Sequence, residues 1–131
     1  MRRTLTVILV AFAGLVRADV LEDCVRGARD RGEVTACLHE ARRVATDDML
    51  GAFLGVEKAM REIGDARERP GAVAVLRESQ REFERYVSAH CRLVLAAAAG
   101  QRDPGQAALA CEVELLRQRA ALLEALTTKR N

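Results

Sequence analysis

The feature that most constrains this chain is where its four cysteines fall relative to its glycines. Three glycine-bounded gaps, residues 27–32, 64–71 and 100–105, interrupt a sequence otherwise poor in breakers. In an antiparallel helical hairpin, facing residues are symmetric about the turn. Cys24 and Cys37 are centred inside the first gap, and Cys91 and Cys111 inside the third. Symmetry therefore favours Cys24 with Cys37 and Cys91 with Cys111. Pairing Cys37 with Cys91 would centre on the edge of the middle gap and oblige Cys24 to meet Cys111, and symmetry by itself leaves that open.

Disulfides require an oxidising compartment, and the N-terminus predicts one. Arg2 and Arg3 form a positive start, residues 4–16 are a short apolar run, and Val16 and Ala18 place small residues at −3 and −1 of a cleavage site. Residues 1–18 read as a signal peptide and residues 19–131 as a single helical domain. The apolar run is shorter than the ~20 residues a spanning helix needs, so the processed chain is expected to be exported, periplasmic or secreted, without a membrane partner. An even cysteine count in a short exported chain favours structural bridges over reactive thiols. Each typically adds about 2–4 kcal/mol by restricting the unfolded chain.

Charge points the same way. The 131 residues carry a formal +2, but Arg2, Arg3 and Arg17 lie in the leader, and without them acids slightly outnumber bases. A nucleic-acid partner is not expected from such a balance, and the length excludes a large multidomain enzyme.

Between the gaps the periodicity is helical. Leu38, Ala41, Ala45, Met49, Ala52, Val56, Met60 and Ile63 recur at three or four over residues 34–63. Residues 72–98 carry a stripe of Leu76, Phe83, Val87, His90 and Val94, and residues 103–126 one of Ala108, Cys111, Leu115, Gln118, Leu122 and Ala125. Asp103-Pro104 is a helix start, with aspartate as cap and proline at the first helical position. A short helix over 20–29 completes the set. The expected fold is all-α, a small antiparallel bundle of three main helices and a short N-terminal one, stapled by two disulfides.

Motifs for catalysis are missing: the chain has no glycine-rich phosphate loop, no Gly-x-Ser-x-Gly, no His-Glu-x-x-His and no Cys-x-x-Cys. A metal site from Cys37, His39, His90 and Cys91 fails on geometry, since residues one or two apart on a helix diverge by about 100–200°. Asp47-Asp48 and Glu22-Asp23 diverge likewise and read as solvated faces. The charges of residues 77–85 suit either a solvated face or a docking surface. No cofactor, metal or catalytic residue is expected.

One stretch is more specific. Leu76-x-x-Ser79-Gln80-Arg81-x-Phe83-x-x-Tyr86-x-x-x-x-Cys91, followed by a glycine-containing gap and then Cys111, Leu115, Arg119 and Leu122, resembles the LprI-type lysozyme-inhibitor family, a bacterial exported domain. Upstream, Asp23-Cys24, Cys37 and Asp47-x-x-Leu50 extend the match. The chain departs from the family pattern at Phe83, where tryptophan is common, at Gly51, where asparagine is, and at Leu54, where an aromatic is. Glu22-Asp23 before Cys24 is not a lipobox. The resemblance implies a helical, disulfide-linked, non-catalytic protein that binds and blocks a muramidase. A purely structural role for Leu76, Phe83, Tyr86, Cys91, Cys111 and Arg119 accounts for the same pattern. For the contact with a lysozyme, whose cleft carries carboxylates, the turn over residues 64–71 offers Arg67 and Arg69. The alternative is an envelope interaction or chaperone-like module with no lysozyme inhibition.

Overall fold

The computed structural model describes residues 19–67 and 71–128, the side chains of residues 64–67 excepted. Four helices follow one another: α1 Val20–Gly27, α2 Arg31–Arg67, α3 Gly71–Ala97 and α4 Pro104–Thr128, with no strand among the described residues. The leader, residues 1–18, lies outside them.

The starts of α1, α2 and α4 are held by local chemistry. The Asp19 carboxylate accepts from the Leu21 amide at 3.1 Å, and Glu22 and Asp23 stand in the first turn of α1, where negative charge suits the free amides. At α2, Asp30 accepts from the Glu33 amide at 2.9 Å while Glu33 reaches back to the Arg29 amide at 2.8 Å. This variant of the capping box satisfies two donors reciprocally. Pro104 opens α4 as expected, but the Asp103 side chain does not serve as the cap. Its carboxylate is held by Arg31, and its carbonyl accepts from the Gln106 and Ala107 amides instead. The α3–α4 connection turns through Gly100, whose φ of +87° is a left-handed conformation that glycine adopts at no steric cost.

The long helix α2 buries one stripe, as its spacing predicts: Val34, Leu38, Ala45, Met49 and Val56 are buried, and Leu38 is fully so. It also runs on through Gly64 to Arg67, so the expected eight-residue turn shrinks to the few residues before Gly71. A single glycine inside a helix costs about 1 kcal/mol, too little to stop one that packs along its length.

The expected stripe of α4 has the wrong phase. Leu109, Ala110, Val113, Ala120 and Leu123 are buried, whereas Gln118 is exposed and Leu122 is 65% exposed. Helix α4 is central, packed along α2 and also against α3 and α1. The buried Leu109, Val113, Ala120 and Leu123 do recur at helical spacing, but α4 carries leucines such as Leu122 and Leu126 on its outer face as well, and periodicity alone does not choose between two apolar faces.

The disulfides are Cys24–Cys37 and Cys91–Cys111, with Cα–Cα distances of 5.7 and 5.6 Å. Both join consecutive helices. The first draws α1 onto α2, where Val20 and Cys24 enter a cluster with Val34, Leu38, Ala45, Leu109, Ala110 and Val113. At the other end a smaller cluster forms from Val56, Leu76 and Leu123. Helix α3 packs on α4 and only lightly on α2, which leaves a groove between α2 and α3 with α4 as its floor.

Candidate functional site

The residues of the Ser-Gln-Arg stretch divide on either side of α3. Leu76 and Gln80 point inward, four residues apart on a helix face, and Gln80 is the one polar side chain buried among the described residues. Arg119 of α4 meets it: Nε donates to Gln80 Oε1 at 3.2 Å and Nη2 to Ser79 Oγ at 3.0 Å. The guanidinium carbon also lies 5.3 Å from the centroid of the Phe83 ring, within cation–π range. The Gln80 amide then donates to Met49 Sδ at 3.3 Å and to Glu84 Oε1 at 3.2 Å. One buried amide thus links α2, α3 and α4, and partial burial pulls the Arg119 pKa below its ordinary value.

Arg81 and Tyr86 do not join this network. Arg81 is exposed, with no ionic partner among the described residues, and Tyr86 is half exposed, stacked on His90 with ring centroids 5.3 Å apart. Of the motif residues, Ser79, Gln80, Phe83 and Arg119 are brought together; Leu76 belongs to the apolar cluster nearby. Arg67 and Arg69 fall outside the described side chains.

Among the described residues, neither the cysteines nor the shifted carboxyls form an acid–base or metal cluster. All four cysteines are consumed in bridges, and no group of three or more His, Cys, Asp or Glu among the described residues is placed to hold a metal. Glu33, Glu40 and Glu57 are carboxyls with displaced pKa values, and each is pulled down, chiefly by hydrogen bonds from Arg29, Arg43 and Arg77 respectively. Ion pairing of this kind is the reverse of what a proton-donating carboxyl needs.

Several cross-helix contacts carried no sequence signal. Glu57 of α2 accepts from Arg77 of α3 at 3.1 Å and from Arg61 on its own helix at 3.1 Å. Arg31 holds the Arg102 carbonyl at 3.1 Å beside its pair with Asp103, and Gln106 donates to the Arg31 carbonyl and to Thr35 Oγ1, both at 3.1 Å. These partners lie 20 to 75 residues apart, beyond the reach of local periodicity.

Three open cavities stand out among the described residues, one of them, of about 510 Å³, a polar surface hollow against Asp23, Asp48, Glu114, Arg117 and Glu124. Another, of about 620 Å³, lies at the start of α2 and α4 against Arg31, His39, Arg102 and Gln106. The third, of about 430 Å³, is the groove between α2 and α3, lined by Met49, Phe83, Val87, Leu95 and Leu116.

Fold and site together define a small, disulfide-stapled helical protein with a partly buried arginine–glutamine clasp. The sequence model of the family described as Lysozyme inhibitor LprI matches residues 24–123, and the chain belongs to that family. No curated protein and no solved structure matches it. Among the described residues, no helix is long and apolar enough to cross a membrane.

Proposed function

We propose that the chain is an exported, non-catalytic inhibitor that binds a muramidase and blocks its cleft. The observation that carries this reading is the family match over residues 24–123. Two disulfides with no free cysteine fit the periplasm or the extracellular space. A stapled bundle also loses little conformational freedom on binding, which favours affinity at a given contact area. A muramidase cleft presents a pair of carboxylates, so arginine is a suitable contact residue, and Arg67 and Arg69 at the α2–α3 connection are proposed for that role.

The test is clearing of peptidoglycan by animal-type and goose-type lysozymes, with and without the oxidised protein lacking residues 1–18. Inhibition that saturates near one equivalent is the expected result. No inhibition of either enzyme overturns the reading and leaves an envelope interaction module, which would instead be sought by suppression of aggregation of unrelated proteins. Unchanged inhibition by an Arg67→Ala, Arg69→Ala double variant removes those two residues from the contact.

A further inference from the structure

The groove between α2 and α3 has the features of a ligand site. Its volume of about 430 Å³ lies within the ~300–1,000 Å³ of small-molecule pockets, and its lining is mostly apolar with a few charged groups. One wall is fixed by the Cys91–Cys111 bridge to α4, so the cavity is formed before anything enters it. Leu95 on the rim is 42% exposed.

The charges in the groove are unequally committed. Arg42 and Glu112 neutralise each other at 3.1 Å across its floor. Glu84 is engaged by the Gln80 amide. Arg92, exposed on the α3 wall, has no ionic or hydrogen-bonding partner among the described residues. It stands eight residues beyond Glu84, about 12 Å along the helix axis at 1.5 Å per residue, too far for the two to pair. The groove is therefore unequal in charge: an uncommitted cation at Arg92, with Leu95 beyond it, a self-neutralised pair across the floor, and apolar side chains leading to a carboxylate already in use at Glu84.

We propose that this groove binds a single-chain amphiphile with an anionic head group, the head on Arg92 beside Leu95 and the tail along Val87, Phe83, Met49 and Leu116. Charge complementarity selects the head, and removal of tail and lining from water drives binding. The Glu84 end disfavours the inverted orientation and a second anion. The site is separate from the muramidase reading, since its test contains no lysozyme.

The experiment is a titration of the oxidised protein, followed by amide and methyl NMR shifts, with dodecanoate, dodecyl maltoside and dodecyltrimethylammonium, each below its micelle concentration. Dodecanoate is expected to bind most tightly and to shift signals of Met49, Val87, Leu95 and Leu116. Arg92→Gln should weaken dodecanoate about tenfold or more, the range for a charged hydrogen bond, and leave the maltoside unchanged. Leu95→Asp, a rim change that spares the core, should weaken both. Equal binding of the cationic amphiphile, indifference of dodecanoate to Arg92→Gln, or shifts confined to other surfaces would each overturn the assignment. A concentration-dependent dimer that Leu95→Asp dissociates and dodecanoate does not displace would overturn it in favour of a second copy in the groove.

Discussion

The two ends of the bundle are held by different means. Around Leu38, eight buried residues from α1, α2 and α4 form one cluster, and the bridge from its member Cys24 leads out to Cys37 on the exposed side of α2. Around Leu123 the buried cluster is three residues, one each from α2, α3 and α4. Both ends carry polar clamps between helices, Gln106 on Thr35 and Arg42 on Glu112 toward the dense end, and Arg119 on Ser79 and Gln80 and Arg77 on Glu57 at the thin one. Only at the thin end do they stand beside so small an apolar cluster and no bridge. Apolar burial is non-directional, so a dense cluster tolerates any arrangement that fills it, and a covalent link fixes which one. Hydrogen bonds are directional and costly to leave unmade, so a thin cluster gains its register from them.

The largest effect should come from cutting into the dense end. Leu38→Ala is expected to cost about 3–5 kcal/mol in urea unfolding, and Leu123→Ala about 2–3 kcal/mol, both within the range for buried leucines. The smaller cluster has more room to collapse around the gap. Equal losses would show that the two ends are packed alike.

Next in size is the loss of a bridge. Replacing Cys24 and Cys37 by alanine should remove about 2–4 kcal/mol and, more tellingly, hydrogen-exchange protection across α1. Eight residues are too few to hold a helix in water unaided. Replacing Cys91 and Cys111 should cost a similar amount without selective loss of protection in one short helix. If α1 stays protected without its bridge, packing of Val20 alone holds it.

At the thin end, Arg119→Ala leaves Gln80 short of a partner and should cost about 1–3 kcal/mol. Arg119→Lys should not restore it, because a single ammonium cannot reproduce the fork that reaches Ser79 and Gln80 together. Recovery by lysine would reduce the clasp to a charge effect. Thermal unfolding of the two variants side by side decides this.

The smallest effect belongs to Glu57. Its pKa lies below the ordinary value of 4.5 because Arg77 and then Arg61 hydrogen-bond its ionised form. The stabilisation is complete above the unfolded value and is lost as pH falls through the lower folded one. Glu57→Gln should therefore lower stability slightly at neutrality, where the stabilisation is complete, make little difference at pH below the folded value, and so flatten the acid limb in between. A wild-type acid limb in this variant would mean that the pair contributes nothing measurable, as many exposed pairs do.

Much of the fold was legible because much of it is one-sided. The α2 residues spaced at three and four include Leu38, Ala45, Met49 and Val56, all buried, since that helix faces the bundle along one line. The disulfide pairing was favoured by midpoints, because both bridges span a single hairpin, although midpoints alone left Cys37 with Cys91 open. The phase of α4 was not legible, since leucines such as Leu122 and Leu126 also stand on its exposed face and Val113, fully buried, falls off the expected stripe. Within the site, the motif marked Ser79, Gln80 and Arg119 but could not say that they touch, because that contact is set by how α3 crosses α4. The clamp from Glu57 to Arg77 and the uncommitted Arg92 had no signature beyond a run of alternating charges. In such a run, which arginine is spoken for depends on the neighbouring helix.

The locality of both bridges has a consequence for how the chain comes apart. Neither closed loop includes the connection between α2 and α3: one ends at Cys37 and the other begins at Cys91. A single proteolytic cut between residues 67 and 71 would thus yield two pieces, each with its own intact cystine and no covalent bond to the other. Cohesion would then rest on α4 lying against α2, which makes the nicked protein a natural two-part complementation system whose halves can be separated by denaturant without any reductant.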